Sequence, residues 1–600
     1  MITIQKLKQE LKYLSITDIY YEGPYVVLHT EDDIQSFDYT YFLKNFNTRL
    51  IFKKNIKNIF SYSKVKEYLK INIVNNLYSI KKYDGKIYIT KGIISKELKE
   101  KINLETGWVV QQREIYSNLR LSVEHDLESL VKTRKDKLHQ LGLKIREKSE
   151  EIIEIYTLTC KGGFNQIGRS NYYIKLGTYT IMVEAGIKNS SMITEPIFPY
   201  KDISDINLAK VDAAIISHAH VDHSGFLPYL LESAHYDGII YLTQPTRDII
   251  YKVFKQTMKF KSEIRSYSLS NFLTNSCIID LGRNIEILPG LTINFKLANH
   301  FLGAVMIHFK TRRNSFLFTG DFKYTDRLKQ QNMFKPLDPK VFNYDYNSVL
   351  TEITYGDIQN RKTDAASEMT SFISLIKKCN EERNNVLIPV FAIGREYLVY
   401  TCLIIIKELK ASNNLNLKIH VDKTIVDSLL LFKDHPNFVL LDLVTETLDL
   451  LEKYNENLNT YEKFIIIAPS GMCDGGPIQT ILKNYVDKKD TYIIFTGYQA
   501  PDTLGSMIRN KEITSIQTSD NESVSINCQI ATFSICRGHT DYDNSFKFWK
   551  RLKISDRLIF THGYTSFISS ISGEWNVRNK GMRPFAIHPL IGDTLFLGGL

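Results

Sequence analysis

Three histidines and one aspartate lie within six consecutive residues of this 600-residue chain, in the segment SHAHVDHSG at residues 217–225. These four residues are His218, His220, Asp222 and His223. The segment directly follows the apolar run of residues 211–216, which is typical of a buried strand. A tight loop at the end of a rigid strand can bring four side chains to one place, so the fold must present this loop to a site.

The residue types in this loop are those that bind zinc. Zn²⁺ prefers imidazole nitrogen and accepts carboxylate oxygen, and a hydrolytic site keeps a coordination position open for water. Four such groups within six residues indicate two metals. The alternative is a chance cluster of histidines near a core strand, but burying so many titratable groups without a metal is costly. The seven cysteines are scattered and form no CxxC pair, so histidines and carboxylates must hold any metal.

The remaining pattern predicts an α/β protein. Short apolar runs such as NYYIKLG, YTIMVEAG, GIIYLT and VMIHFK alternate with helical stretches at residues 226–233 and 246–260. A second block of this kind follows residue 357, with a helix near residues 365–378, and the first pattern returns near residue 530. A length of 600 residues fits two to four domains.

Composition, the apolar runs and the N-terminal residues indicate where in the cell the protein is expected. Hydrophobic residues make up 43% and charged residues 24% of the chain, which is ordinary for a folded protein. The longest apolar run, residues 397–406, is shorter than the roughly 20 residues that span a bilayer. The start lacks the apolar core of a secretory signal, so we expect a cytoplasmic protein without a transmembrane helix.

Positive charge is concentrated near the N-terminus. The net charge is +10, and residues 51–100 contain twelve lysines against four acidic residues, interleaved with five tyrosines. Cations beside aromatic rings suit a polyanion with stackable bases. The alternative is a solvated lysine-rich face.

The N-terminal part also shows a pattern of small units. In residues 1–110, YEGPYVVLHT and DGKIYITKG each precede a helix-prone segment, which predicts two small units rather than one irregular domain. A charged stretch with helical spacing follows at residues 122–154.

HAHVDH at residues 218–223 resembles the HxHxDH signature of the metallo-β-lactamase superfamily, and the surrounding blocks are similar to its β-CASP branch, whose members cleave nucleic acids. Further blocks, IPVFAIGREYLV, APSGMCDGGP and FTGYQAPDTLG, are also similar, and the resemblance covers residues 157–600. The family's other motifs follow in order, with His300 in LANHFLGAVMIHF, Asp321 in FLFTGDFKYTD, Glu352 in TEITYGD, His539 in SICRGHTDY and His562 in FTHGYTSF.

The resemblance implies a role for each of these residues. One zinc is assigned to His218, His220 and His300, and the other to Asp222, His223 and His562, with Asp321 bridging the two. Two such cations can activate water and stabilise the oxygens of an attack on phosphorus. The leaving oxygen also needs a proton, and His539 paired with Glu352 is the expected general acid.

The N-terminal segments ITDIYYEGPYVVLHT, TGWVVQQREI and KLHQLGLKIREK resemble archaeal KH-containing cleavage and polyadenylation specificity factor ribonucleases. A KH unit clamps the RNA backbone with a GxxG loop, but KGIISKEL around Gly92 lacks the second glycine. The implied partners are single-stranded RNA and RNA polymerase or other processing factors. The ending GMRPFAIHPLIGDTLFLGGL resembles a segment through which relatives pair, which implies a homodimer.

One position departs from the family's pattern. Where an aspartate usually closes a strand before glycine, MVEAG contains Glu184. That residue normally supports the metal-ligand loop, so its extra methylene is expected to shift the support by about an ångström and to tune or weaken activity.

The sequence therefore predicts an α/β/β/α metallo-β-lactamase core with an inserted β-CASP domain, preceded by a small α+β KH-like region. The expected domains are residues 1–150, basic and KH-like; 155–345, the first part of the core; 346–530, β-CASP; and 531–600, the C-terminal part of the core.

The favoured function is zinc-dependent cleavage of RNA, endonucleolytic as in 3′-end formation or transcription termination, with 5′-to-3′ exonuclease action as a further option. Two alternatives stay open. A small-ester or lactam hydrolase does not need Glu352, His539 and the inserted domain, whereas a catalytically inactive RNA-binding scaffold would fit Glu184 and the missing glycine.

Overall fold

The computed structural model describes residues 3–30, 50–54, 61–72, 78–81, 86–89, 94–112, 115–147, 156–188, 203–260, 266–325, 331–356, 365–457, 462–500, 502–517 and 523–597. Among the helices in these ranges, none combines the length and the apolar character needed to cross a lipid bilayer.

The N-terminal part contains two separate three-stranded sheets, each with a small core of its own. Gly92 lies outside the described residues, as does part of the lysine-rich segment, and the KH-like interpretation stays a prediction. The first sheet consists of β1 (Ile16–Glu22), β2 (Tyr25–Thr30) and β3 (Leu50–Lys54), with helix α1 (Ile4–Glu10). The second consists of β4 (Tyr78–Lys81), β5 (Lys86–Ile89) and β6 (Val109–Gln112), with helices α2 (Tyr62–Asn72) and α3 (Lys96–Thr106).

The charged stretch after these sheets forms two helices, α4 (Asn118–Ser129) and α5 (Val131–Glu147), and not the single helical run that the pattern indicated. The break lies at Leu130, whose N–H bonds to the carbonyl of Leu127 in a tighter turn. Helix α5 ties the N-terminal part to the rest, because the Nδ1 atom of its His139 accepts a hydrogen bond from the N–H of Tyr21 at 3.0 Å.

Two seven-stranded sheets form the centre of the molecule. The first has the order β12-β11-β10-β9-β8-β7-β27, with the strands β7 (Tyr156–Gly162), β8 (Asn171–Leu176), β9 (Tyr179–Val183), β10 (Ala213–Ile215), β11 (Ile239–Leu242), β12 (Ser276–Ile278) and β27 (Thr594–Phe596). The second has the order β13-β14-β15-β16-β17-β25-β26, with β13 (Asn284–Leu288), β14 (Leu291–Leu297), β15 (Val305–Lys310), β16 (Ser315–Phe318), β17 (Asp345–Glu352), β25 (Lys553–Thr561) and β26 (Phe585–Ile587).

The two sheets face each other because alternate side chains of both enter one apolar core. Ile181 and Val183 of β9 and Phe316 and Phe318 of β16 belong to this core, whereas Leu317 between the last two packs outward. Successive side chains on a strand point to opposite faces, and both faces are buried here. This explains why the strands read as continuous apolar runs in the sequence.

Helices cover the outer face of each sheet. Against the first sheet lie α7 (Leu227–Glu232), α8 (Gln244–Phe260) and α9 (Ser266–Asn275), and against the second lie α16 (Tyr542–Arg551) and α17 (Thr565–Arg578). Within the second group, the ring of Trp549 packs on Phe560 of β25 at 5.0 Å and on Trp575 at 6.0 Å. The predicted α/β/β/α sandwich is confirmed.

A third sheet is inserted in the chain between β17 and β25. It is five-stranded with the order β19-β20-β18-β21-β24, and all its pairings are parallel. Its strands are β18 (Asn385–Pro389), β19 (Lys418–Val421), β20 (Phe464–Ala468), β21 (Thr491–Phe495) and β24 (Gln529–Thr532); β22 (Ser515–Gln517) and β23 (Ser523–Ser525) form a hairpin beside it. Its helices are α10 (Ala365–Glu381), α11 (Glu396–Ala411), α12 (Lys423–Asp434), α13 (Leu441–Tyr454), α14 (Gly476–Tyr485) and α15 (Leu504–Arg509).

The end of the described chain adds to the first sheet, where β27 pairs with β7 of the same chain. Several apolar side chains of this end are exposed, and the homodimer expected from the sequence stays a prediction. They are Val577, Met582, Leu590, Ile591 and Phe596.

A buried ion pair joins the helices on the outer face of the first sheet. Nη1 of Arg120 in α4 donates to Oδ2 of Asp248 in α8 at 2.6 Å, and both side chains are almost completely buried. Burial raises the pKa of the Asp248 carboxyl, but the charges of Arg120 and Arg247 outweigh burial and hold the pKa well below its usual range. Asp434 of α12 accepts hydrogen bonds from the backbone just before α4, so the inserted layer is tied to the same helix.

Asp248→Ala should leave the Arg120 guanidinium buried without its principal partner. Breaking a buried pair in this way costs about 3–5 kcal/mol of the free energy of unfolding. Urea unfolding followed by circular dichroism measures the change. The control is Asp237→Ala, which removes the exposed partner of Lys137 and should cost less than about 1 kcal/mol. Equal effects of the two substitutions would contradict a special role of the buried pair.

Candidate metal centre

The HAHVDH loop leaves the carboxyl end of β10 and is clamped by backbone hydrogen bonds. Its second half is the single helical turn α6 (Val221–Ser224), which His220 precedes as N-cap. The N–H of Ser170 donates to the carbonyl of Asp222 at 3.0 Å, and the N–H of Ala185 donates to that of His223 at 2.8 Å. The ends of two neighbouring strands thus hold the loop against the sheet.

The other predicted site residues come from strand ends of the second sheet. Asp321 follows β16 by three residues, Glu352 is the last residue of β17, and His562 directly follows β25. These three strands are parallel neighbours, so their carboxyl ends meet at one edge, where side chains of separate segments converge. His300 follows β14 by three residues and reaches the same edge.

Three histidines form the first group of possible metal ligands. Nδ1 of His220 lies 3.0 Å from Nε2 of His218 and 3.2 Å from Nε2 of His300. In a tetrahedral site with Zn–N bonds of 2.0–2.1 Å, two ligand nitrogens are about 3.3 Å apart. The separations of these nitrogens therefore suit one shared metal ion.

Asp222, His223 and His562 form the second group. Oδ2 of Asp222 lies 3.3 Å from Nε2 of His562 and 3.9 Å from Nε2 of His223. The carboxylate of Asp321 lies between the two groups, because its Oδ2 is 3.3 Å from Nε2 of His223 and 3.7 Å from Nε2 of His300. This arrangement is that of two adjacent sites with a carboxylate common to both.

The chemistry of the donors fits metal ions. Both ring nitrogens of His223 and Oδ1 of Asp321 are buried without a well-formed hydrogen bond within the described part of the chain. Buried polar atoms normally find partners, and their absence here marks a place where another binding group is expected. Imidazole nitrogens and carboxylate oxygens are also the donors that zinc accepts. The cluster can therefore hold a pair of metal ions.

Burial and mutual charge set the ionisation of these groups. Burial lowers the pKa of His220 to about 4 and holds the pKa of His218 and His300 well below the ordinary range, so these rings are neutral and able to bind metal. Burial raises the pKa of the Asp321 carboxyl, but the charges of His562 and His223 outweigh it and lower that pKa well below its usual range. Asp321 is therefore a carboxylate.

Glu184, which departs from the family's pattern, supports the loop despite its extra methylene. It is fully buried, and its Oε1 accepts a hydrogen bond from the N–H of Ser217 at 3.1 Å. Its Oε2 lies 3.7 Å from Nδ1 of His223. The backbone meets this geometry with a φ of 65°, in the left-handed region that non-glycine residues rarely adopt. The carboxylate thus reaches both the loop backbone and a histidine of the cluster.

His539 lies beside the cluster of possible metal ligands and is hydrogen-bonded to Glu352. Nδ1 of His539 donates to both carboxylate oxygens of Glu352, each at 2.9 Å, with the hydrogen assigned from the geometry. Burial lowers the pKa of His539, but the charge of Glu352 and the hydrogen bond to it outweigh burial and raise the pKa to about 9. The ring is therefore poised to carry a proton and to donate it from Nε2.

Backbone carbonyls in the loop of residues 536–540 position His539. Successive carbonyls accept hydrogen bonds from three separate segments: Cys536 from Nη1 of Arg395 at 2.7 Å, Arg537 from Nζ of Lys323 at 2.6 Å, and Gly538 from Nδ1 of His300 at 2.8 Å. Burial lowers the pKa of Lys323 to about 8. The last of these bonds leaves Nε2 of His300 facing the cluster, so one loop positions both His539 and a possible metal ligand.

Sequence reasoning missed the roles of Lys323, Arg395 and Tyr355. The ring of Tyr355 packs against His539 at 5.2 Å, and the guanidinium of Arg537 lies over the same ring at 5.3 Å. Arg395 belongs to IPVFAIGREYLV and Lys323 follows Asp321 by two residues, so position within the motifs was the available signal.

The structure places all the predicted site residues in one cluster, and the other eight histidines of the chain take no part in it. None of the latter belongs to a metal-ligand group among the described residues. His308, for example, bonds through Nε2 to Oγ of Ser315 at 2.9 Å within the second sheet. The eight histidines outside the cluster are His29, His125, His139, His235, His308, His420, His435 and His588.

Two family models match the chain. The model described as "Metallo-beta-lactamase superfamily" matches residues 166–332, and the model described as "Beta-Casp domain" matches residues 400–508. The first range contains the HAHVDH loop, His300 and Asp321, and the second lies within the inserted layer.

Curated archaeal relatives are similar over most of the chain. The transcription termination factor FttA of Methanosarcina mazei is 26% identical over 600 residues, which covers 92% of this chain and 92% of the relative. FttA of Methanothermobacter thermautotrophicus is 27% identical and covers 76% of this chain and 75% of the relative. FttA of Methanocaldococcus jannaschii is 28% identical and covers 68% and 66%.

Glu184→Gln should weaken metal binding while it leaves the shape of the site in place. The amide can still accept from Ser217, but it carries no negative charge to face His223, and loss of such support typically costs 10–100-fold in metal affinity. Competition with a chromophoric chelator measures the affinity. Glu286→Gln is the matched control, since this carboxylate bonds to the N–H of Gly290 at the edge of the second sheet. Unchanged affinity in Glu184→Gln would show that the carboxylate does not support the metals.

Proposed function

Because the chain belongs to the β-CASP branch of the metallo-β-lactamase superfamily, we propose that it is a zinc-dependent ribonuclease that hydrolyses phosphodiester bonds of RNA. One observation carries the proposal: a cluster fit for two metals stands next to His539, a histidine that is outside the donor groups and bound to a carboxylate. Hydrolysis of a phosphodiester needs activated water on one side of phosphorus and a proton for the leaving oxygen on the other.

The proposed ligands follow the two groups of the cluster. Two zinc ions, when bound, would supply the Lewis acidity that activates water and stabilises charge on the phosphate oxygens. Their holders are His218, His220 and His300 for one site, Asp222, His223 and His562 for the other, and Asp321 for both. We also propose a catalytic role for Asp222, because its Oδ2 lies 3.3 Å from Nε2 of His562 within the cluster that would activate water.

The remaining steps belong to this chain's own side chains. Glu352 fixes the His539 ring through Nδ1, so that the transferable proton sits on Nε2 and passes to the leaving oxygen. Tyr355 packs on one side of the His539 ring and His300 on another, with ring centroids at 5.2 and 4.7 Å, which limits its rotation. A small-ester hydrolase has less need of such a donor, because its leaving group requires less assistance.

We place this cleavage in the processing of transcripts. The curated relatives are termination factors by name, and that of Methanosarcina mazei is similar over 92% of this chain. Endonucleolytic cleavage in termination or 3′-end formation is the favoured reaction, and 5′-to-3′ exonuclease action is a further option. Single-stranded RNA is the proposed substrate, and RNA polymerase or other processing factors are proposed partners.

His539→Ala tests the proton donor. The substitution should retain both metals and slow the chemical step by about 10²–10⁴-fold, the usual contribution of a positioned general acid. Glu352→Gln should act in the same direction, and the double variant should lose less than the product of the two effects because the pair acts as one unit. Single-turnover cleavage of end-labelled RNA, with metal content measured on the same samples, gives the values.

Two results of that experiment would count against the assignment. Loss of one metal in His539→Ala would make this histidine a ligand. Undiminished cleavage with full metal content would remove its catalytic role. Absence of cleavage by the wild-type, metal-loaded protein would favour the inactive RNA-binding scaffold.

We further propose that the basic N-terminal part recruits RNA. In α2, Lys66 and Lys70 are exposed and four residues apart, so they lie on one helix face, while Val65 and Leu69 are buried in the core of the second small sheet. Exposed lysine side chains on one helix face are available to phosphates. Electrostatic recruitment depends on salt, because each phosphate contact releases counterions.

Substituting Lys66 and Lys70 together by alanine should flatten the dependence of log K on log salt. Each lost contact with a single strand removes roughly 0.7 from the slope, so the pair should remove up to about 1.4. RNA binding by fluorescence anisotropy at several salt concentrations measures it. The matched control is the double alanine variant of Lys407 and Lys410, which are exposed at the end of α11. An unchanged slope in the Lys66 and Lys70 variant would identify those lysines as a solvated face only.

A further inference from the structure

Two exposed tyrosines from different layers meet beside the metal cluster. Tyr498 lies three residues after β21, at the carboxyl end of the inserted sheet, and exposes 56% of its surface. Tyr564 is the N-cap residue of α17 in the second layer and exposes 47%. Their hydroxyl groups are within hydrogen-bonding reach of each other. The two side chains therefore meet through their hydroxyl groups, one from each layer.

This surface is close to the reacting centre. Tyr564 follows His562 by two residues, and consecutive Cα atoms are about 3.8 Å apart, so the two Cα atoms lie within about 8 Å of each other. Tyr498 follows Gly497, where an added Cβ would lie 3.3 Å from Nη2 of Arg395. Arg395 in turn bonds to the loop that carries His539. Both tyrosines therefore belong to segments that border the site.

The chemistry of the surface fits a nucleotide base. Single exposed aromatic residues are common and need no explanation, but two that meet at the mouth of a site are a different case. Cations stand close by, with Arg395 behind Gly497 and Arg509 among the charges that act on Tyr498. Aromatic rings that accept a base beside cations that attract the backbone are how proteins bind single strands without reading sequence.

We propose that Tyr498 and Tyr564 form a stacking site for the base of a nucleotide next to the cleaved bond, with Arg395 drawing in the neighbouring phosphate. The site deepens the proposed ribonuclease function and rests on it. It favours a single-stranded substrate, because both faces of a base inside a duplex are already covered by its neighbours. It also predicts little preference among the four bases, because every base offers a flat face.

The test combines a protein substitution with a substrate substitution. A labelled single-stranded RNA is prepared as a series in which one base at a time, on either side of the cleavage position, is replaced by an abasic ribose. Binding is measured by fluorescence anisotropy and cleavage by single-turnover kinetics. With the wild-type protein, one position next to the cleaved bond should weaken binding by roughly 5- to 150-fold when its base is missing.

Tyr498→Ala should weaken binding of the intact RNA by a similar factor and should abolish the penalty at that one position, while the metal content stays unchanged. Tyr498→Phe keeps the ring and should bind nearly as the wild type does. Phe596→Ala is the matched control, since this aromatic residue exposes 63% of its surface on β27. If the missing base weakened binding to Tyr498→Ala as much as it weakens binding to the wild type, the two losses would be additive and the stacking site would be overturned.

The outcomes also separate the two proposals. RNA cleavage by the wild-type protein with no abasic-sensitive position next to the cleaved bond would reject the stacking site and leave the ribonuclease function intact. A wild-type, metal-loaded protein that neither binds nor cleaves the RNA would overturn both. Equal weakening by Tyr498→Ala and Tyr498→Phe would place the effect in the hydroxyl group and not in the ring, which would also reject stacking.

Discussion

The structure depends on the convergence of buried titratable side chains at one edge of two facing sheets. Seven donors from four chain segments come within a few ångströms of one another there, and burial alone would force several of them to change ionisation. A cost of this kind is tolerated only where opposite charges or metal ions compensate it. The strand order produces this convergence, because the parallel neighbours β16, β17 and β25 end at the same edge and place Asp321, Glu352 and His562 there.

Supporting contacts make this convergence rigid. Glu184 fixes the HAHVDH loop from the first sheet, and the loop of residues 536–540 is held by side chains from three other segments. His300 belongs both to the donor cluster and to the contacts that hold this loop, because one of its ring nitrogens bonds to the loop while the other faces the cluster. The inserted layer contributes Arg395 to the same loop, so it helps to position His539.

The sequence predicted the parts of this site that lie within motifs. HAHVDH places four donors in six residues, and the alternation of apolar runs with helices predicted an α/β protein. The facing sheets were implied by the resemblance to the metallo-β-lactamase superfamily. Contacts between distant segments could not be read in the same way. The bond from Arg395 to Cys536 spans 141 residues and that from Lys323 to Arg537 spans 214, and no local pattern encodes either. The break between α4 and α5 was missed because helical spacing continues across Leu130.

The central claim is that the cluster holds two metals that the chain uses to cleave RNA. Metal content by mass spectrometry, measured together with cleavage of an end-labelled single-stranded RNA before and after chelation, tests it most directly. The account predicts about two zinc ions per chain, loss of cleavage when they are removed, and recovery when zinc is restored. Full cleavage by exhaustively chelated protein, or no bound metal in protein prepared with zinc, would contradict it.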